Sequence, residues 1–224
     1  MKSKKIVALL PIKKNSERVP GKNFKNFAGK PLFLWMLESL LKIEDIDEII
    51  INTDAKDLLI ENNIPDLEKI IIRERADHLI GDDISMNLII KDDVEFINAD
   101  LFLMTHATNP LLSKESILKA LHSFLKESEC DSLFSANKFQ TRFYDHDMNP
   151  INHNFNDLIK TQDLPIWYEE NSCLYIFSKK SFFSTQARIG KRPMIFSFPK
   201  NESIDIDDQE DWEIAESIMM DRYK

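Results

Sequence analysis

Short apolar runs alternate along this chain with longer segments in which apolar residues return at helical spacing. Ile6 to Leu10, Glu48 to Asn52, Ile70 to Arg73 and Leu101 to Met104 are runs of the first kind. They predict strands, the first buried on both faces of a parallel sheet. Asp131 to Asn137, Ser172 to Phe177 and Met194 to Phe198 predict three more. Between them, Pro31 to Lys42 carries Leu34, Leu37 and Leu41 at helical spacing, with Pro31 in the first turn. Further helices are expected from Asp54, as N-cap, through Asn62, from about Ser85 to Ile97, from a Ser113 cap to about Ser128, and from Lys179 to Thr185. Gln209 to Arg222 reads as an amphipathic closing helix, with Trp212, Ala215 and Met219 on one side. Strand and helix in alternation predict an α/β domain whose sheet is covered on both faces.

One stretch breaks the rhythm. Lys138 to Asn171 is irregular, rich in Asn, Asp and aromatic residues, and too long for an ordinary connection in a compact domain. There is no internal repeat or low-complexity linker, so residues 1–224 read as a single domain with one excursion at 138–171.

Charge adds the next constraint. The net charge of -9 argues against general binding to nucleic acid or an anionic membrane. No stretch approaches the roughly 20 apolar residues that span a bilayer. Met1 to Lys5 followed by apolar residues imitates a secretory leader, but Lys13 and Lys14 break the run without a small-residue cleavage site. A cytoplasmic protein with its two cysteines, Cys130 and Cys173, as free thiols is expected.

Against this acidic background, the loop after the first strand gathers Lys13, Lys14, Arg18, Lys22 and Lys25, with Ser16, Pro20 and Gly21 among them. Local positive charge at the carboxyl end of a buried parallel strand suggests an anionic ligand, and a nucleoside triphosphate fits best. Asp205 and Asp207 stand two apart after the last apolar strand, so an extended backbone would turn both carboxylates to one face. Hard oxygen donors at that separation suit Mg²⁺. Asp207 could instead cap the final helix, with Glu210 completing a capping box.

The order of these residues resembles the CMP-sugar synthetases, the acylneuraminate and related nonulosonate cytidylyltransferases. The loop Ile12-Lys13-Lys14-Asn15-Ser16-Glu17-Arg18-Val19-Pro20-Gly21-Lys22-Asn23 matches their signature at Ser16, Arg18, Pro20, Lys22 and Asn23, with Lys13 where an Arg is usual. Gly29-Lys30-Pro31-Leu32, Asn52-Thr53-Asp54, Thr108-Asn109-Pro110 and Ser203 to Asp207 extend the likeness over nearly the whole chain. The resemblance implies a three-layer, Rossmann-like nucleotidyltransferase fold with a mostly parallel sheet, and transfer of CMP from CTP to the anomeric hydroxyl of a 2-keto-3-deoxy sugar acid with release of pyrophosphate. It implies Lys22, Arg18 and Asp207 as catalytic residues and Asp205 with Asp207 as Mg²⁺ ligands. Lys13, Asn15, Ser16, Asn23 and Thr108 would contact the nucleotide, Arg73 the cytosine base, and His106, Asn171 and Tyr175 the sugar. The excursion would be a dimerisation lobe of a homodimer, or a flexible lid.

The likeness thins at the sugar end. Leu112 stands where the family has Arg, His106 where it has Gln, and Glu169-Glu170 where sialic acid enzymes have Arg-Pro before Asn171. The usual partners of a sialic acid's carboxylate and acyl groups are thereby depleted, so the acceptor is expected to be another nonulosonic or octulosonic acid. Arg142, Lys160 or Arg188 could supply the missing charge. Two alternatives stay open: a metal-dependent glycosyltransferase on a similar architecture, and a noncatalytic binder of nucleotide or sugar. The loop after Met104 lacks the acidic pair that the first would carry there.

Overall fold

The computed structural model describes residues 4–222 except 63 and 66. Met1 to Ser3, within the leader-like start, lie outside the described residues. The elements run β1 (Ile6–Leu9), β2 (Asn26–Phe27), β3 (Lys30–Pro31), α1 (Leu32–Leu41), β4 (Glu48–Thr53), α2 (Lys56–Glu61), β5 (Ile70–Glu74), α3 (Met86–Phe96), β6 (Leu101–Met104) and α4 (Lys114–Lys126). They continue with β7 (Ser132–Phe139), β8 (Trp167–Phe177), α5 (Lys179–Thr185), β9 (Pro193–Phe196) and α6 (Gln209–Arg222).

A seven-stranded sheet in the order β5-β4-β1-β6-β8-β7-β9 forms the centre. β1 pairs in parallel with β4 on one side and β6 on the other, so strand order reverses at β1. Such a reversal opens a crevice beyond the carboxyl ends of the strands. β8 runs antiparallel to both β6 and β7, which makes the sheet mostly but not wholly parallel. All four residues of β1 and of β6 are buried, as continuous apolar runs require. One core packs α1, α4 and the Ile49 and Ile51 side chains against one face of the sheet. A second packs Ile90 and Val94 of α3 and Phe182 of α5 against the other face.

A third cluster matters most for position. Val19 of the first loop, Phe27, Leu111, Ile206 and Trp212, Ala215 and Met219 of α6 pack together, tying three distant segments to one spot. The side of α6 expected to be buried is the buried one.

Two local expectations fail. Asp54 does not cap α2: Ala55 holds the N-cap position without a side-chain bond, because the Asp54 carboxylate instead accepts from the Lys14 backbone N–H at 2.7 Å. The irregular stretch is also shorter than 138–171. β7 and β8 pair out to Phe139 opposite Trp167, leaving residues 140–166 as the excursion.

Candidate active site

The first loop folds back over the carboxyl end of β1. Val19 anchors it in the third cluster, and a tight turn follows in which Gly21 takes φ +63°, a left-handed value that favours glycine. Lys22 N–H donates to the Val19 carbonyl and Phe24 N–H to that of Gly21. Asn23 closes the loop by donating from Nδ2 to the Lys13 carbonyl at 2.8 Å. This places Lys22 inward: its side chain is only 11% exposed, and Nζ donates to the Ile206 carbonyl.

Ile206 belongs to the acidic segment, and its own N–H donates to the Thr108 carbonyl at 2.8 Å. The alternation of Ile204-Asp205-Ile206-Asp207 does the rest, since the isoleucines pack into the third cluster and the aspartates turn to the opposite side. Asp207 lies 2.8 Å from Arg18 Nη2 and 3.8 Å from Lys22 Nζ. Asp205 accepts from the Thr108 side chain, and burial pushes its carboxyl up to about 6. Burial likewise lowers the Lys22 ammonium, partly offset by Asp205 and Asp207. Asp207 is not the cap of α6. Asp208 accepts from Asp211 N–H, and Asp211 accepts from the N–H groups of Asp207 and Asp208. The capping task falls one residue later, leaving the Asp207 carboxylate to the cavity.

These groups line a cavity of about 480 Å³. Lys13, Ser16, Arg18, Lys22, Asn23, His106, Thr108, Asp205 and Asp207, all expected from the sequence, come together there. Ser16 Oγ, Asn23 Oδ1 and Asp205 Oδ1 are buried polar atoms with no protein partner, an arrangement that favours a polar ligand. Lys13 reaches across to Asp82 at 2.7 Å. His106 is held neutral, since burial and the nearby Arg188 and Lys22 push its imidazole down to about 3.

Four expected residues are elsewhere. Asn15 is exposed and outside the lining. Arg73 turns to α3, 2.9 Å from Asp92 and in contact with Asp93, and so does not reach the cavity. Its place is taken by Arg75, which lines the cavity and is fixed by bonds to Asn52 Oδ1 and the carbonyls of Asn52 and Ile12. Asn171 and Tyr175 do not line the cavity, and β8 is irregular between them. Phe134 opposes Tyr175 but Ala136 opposes Glu170, so β8 spends extra residues there. Asn171 is buried behind that bulge, accepting from Ser135 at 2.6 Å and donating to Asn137 at 3.0 Å. Tyr175 is fully buried. Ser172, at φ +56°, is the bulge residue that meets the cavity.

Arg188 joins the lining from the segment after α5, whereas Arg142 bonds the Ile159 carbonyl within the excursion. A sequence signal existed for Arg75, which stands two residues beyond Arg73. None existed for Arg188 beyond its charge.

A family model described as cytidylyltransferase matches residues 7–223. The chain is 25% identical to a pseudaminic acid cytidylyltransferase of Campylobacter jejuni, over 96% of each chain. It is 28% identical to a CMP-N,N'-diacetyllegionaminic acid synthase of Legionella pneumophila, again over 96% of each. Among solved structures, 4-diphosphocytidyl-2C-methyl-D-erythritol synthase from Anaerococcus prevotii superposes with a TM-score of 0.71 at 15% identity, covering 97% of this chain and 96% of that one.

Proposed function

This chain belongs to the cytidylyltransferase family and is a nucleotidyltransferase, and on that premise we propose that it moves CMP from CTP onto the anomeric hydroxyl of a 2-keto-3-deoxy sugar acid. The anomeric oxygen bonds to the α-phosphorus, the bond to the β-phosphate oxygen breaks, and pyrophosphate leaves. The observation that carries this reading is the convergence of Lys22, Arg18, Asp205 and Asp207 on one cavity at the strand-order reversal. Relatives that span the same length are a pseudaminic acid cytidylyltransferase and a CMP-N,N'-diacetyllegionaminic acid synthase, and they support a nonulosonic acceptor other than N-acetylneuraminate. Leu112, where the sialic acid pattern has Arg, is buried and apolar.

In this reading Lys13, Arg18 and Lys22 hold the triphosphate, with Ser16 and Asn23 offering their free polar atoms to it. Lys22, the most buried of the three cations, stabilises charge that builds on the α-phosphate. Arg75 takes the nucleotide contact that the resemblance gave to Arg73. His106, being neutral, offers the sugar a hydrogen bond and no charge.

The donor set at the acidic pair fits Mg²⁺. Asp205 Oδ1 is buried and unpartnered, Asp207 lines the same cavity, and both are hard oxygen donors. Among the described residues no three His, Cys, Asp or Glu side chains cluster as a metal cage, as suits an ion that completes its shell with water and phosphate. Bound by Asp205 and Asp207, Mg²⁺ would offset phosphate charge and acidify the attacking hydroxyl.

The excursion is assigned as the interface of a homodimer. Met148, Phe155 and Leu158 stand 74%, 60% and 69% exposed on it, apolar surface that a second copy would cover.

Pyrophosphate release, measured with each nucleoside triphosphate against a panel of nonulosonic and octulosonic acids, tests the reading. Release with CTP and a nonulosonic acid is expected. Release with another nucleotide, or fastest turnover of N-acetylneuraminate, would overturn it.

A further inference from the structure

The cavity carries a cation that the phosphate loop does not supply. Arg188 comes from the segment after α5, and that segment is pinned along its length. Thr185 Oγ1 donates to the Ile189 carbonyl, Gly190 N–H donates to Ser132 Oγ, and the N–H groups of Lys191 and Arg192 donate to the Asp131 carboxylate at 3.0 Å each. At Gly190 the packing is so close that a Cβ would fall 2.3 Å from both Asp131 Oδ1 and Ser181 Oγ. The backbone beneath Arg188 is therefore built to one position.

Its side chain is equally well supported. The guanidinium lies 3.9 Å over the ring of Tyr175, whose hydroxyl donates to Glu170. Nη2 sits 3.5 Å from Glu170 Oε1, and Nη1 faces His106 Nε2 at the same distance. Both contacts lie at the outer limit of a hydrogen bond, so the guanidinium keeps donor capacity for an incoming anion. An arginine fork is suited to a carboxylate. The three cations of the basic loop, Lys13, Arg18 and Lys22, lie on a different segment of the lining and are the ones assigned above to the triphosphate.

We propose that Arg188 is a specificity-determining residue that receives the carboxylate of the sugar acid, with Tyr175 and Glu170 as the positioning residues that hold its guanidinium. This rests on the acceptor being a sugar acid. It also accounts for what the sequence lacks: the charge absent at Leu112 and at Glu169-Glu170 is supplied from a different segment. Tyr175 thereby acts on the sugar through Arg188 instead of touching it.

The test compares wild type with Arg188→Gln and Arg188→Lys in pyrophosphate release, alongside calorimetric titration of CTP. Arg188→Gln is expected to raise KM for the sugar acid about 10- to 150-fold, the range for losing a hydrogen bond to a charged group. CTP affinity should stay within about twofold, and Arg188→Lys should fall between. Wild type should also prefer the acid over its carboxamide, and Arg188→Gln should lose that preference. An unchanged KM, a surviving preference, or an equal loss of CTP affinity would overturn the assignment while leaving the proposed reaction standing. A wild type that binds CTP and turns over no sugar acid would overturn both.

Discussion

Lys22→Met removes one positive charge and keeps a side chain of similar length and shape. In the folded protein the ammonium is largely buried, bonded to the Ile206 carbonyl and 3.8 Å from Asp207. At a similar distance from a phosphate oxygen, a unit charge in a partly buried site is worth about 4 kcal/mol. Only the part that grows as charge shifts onto the α-phosphate enters the rate. For a single preorganised group this is typically about 3–4 kcal/mol, or a loss of roughly 100- to 1000-fold in kcat. Stability should fall somewhat, because the Ile206 carbonyl loses its donor and Asp205 and Asp207 their cation. The assay is continuous pyrophosphate release at saturating CTP, with a urea melt on the same preparation. A folded Lys22→Met protein keeping more than about a tenth of wild-type kcat would refute the role given to this charge.

Three further outcomes are expected. Burial pushes the Asp93 carboxyl up to about 6, so the folded state keeps a proton that the unfolded chain releases near 3.8, and stability falls as pH rises from about 4 through 6; the full effect is about 3 kcal/mol. Urea melts at both ends of that range should show this loss in wild type and a flatter profile in Asp93→Asn, and equal profiles would contradict it. The His106 ring resonance in a histidine NMR titration should hold its neutral position down to about pH 4, whereas a midpoint near the ordinary histidine value would show that the ring is not shielded. Gly190→Ala should cost about 1–3 kcal/mol in a urea melt, since its Cβ would meet Asp131 and Ser181; wild-type stability would mean that the segment beneath Arg188 yields.

Most of this architecture could be read from local pattern. Fully buried parallel strands are continuous apolar runs, so β1, β4 and β6 announced themselves, and the period of two in Ile204 to Asp207 placed both carboxylates on one side. Contacts between distant segments were not legible. Asp54 has the character of a cap but is claimed by Lys14, 40 positions away. Arg73 and Arg75 are chemically identical, and only the packing of α3 against β5, with Asp92 and Asp93 facing the sheet, separates them. The bulge behind which Asn171 is buried arises from the pairing of β8 with β7. Arg188 depends on a loop pinned by Asp131, more than fifty residues earlier.

In the proposed reaction the anomeric oxygen attacks phosphorus at the Lys22–Asp205–Asp207 end of the cavity. The most direct measurement uses a sugar acid carrying ¹⁸O at its anomeric hydroxyl, short incubation with CTP and Mg²⁺, and mass spectrometry of both products. The label should be retained in the CMP-sugar, in the oxygen that bridges carbon and phosphorus, and be absent from pyrophosphate. A CMP-sugar without the label, formed before the free sugar exchanges with water, would mean that the sugar's carbon–oxygen bond breaks, and attack on phosphorus would be wrong.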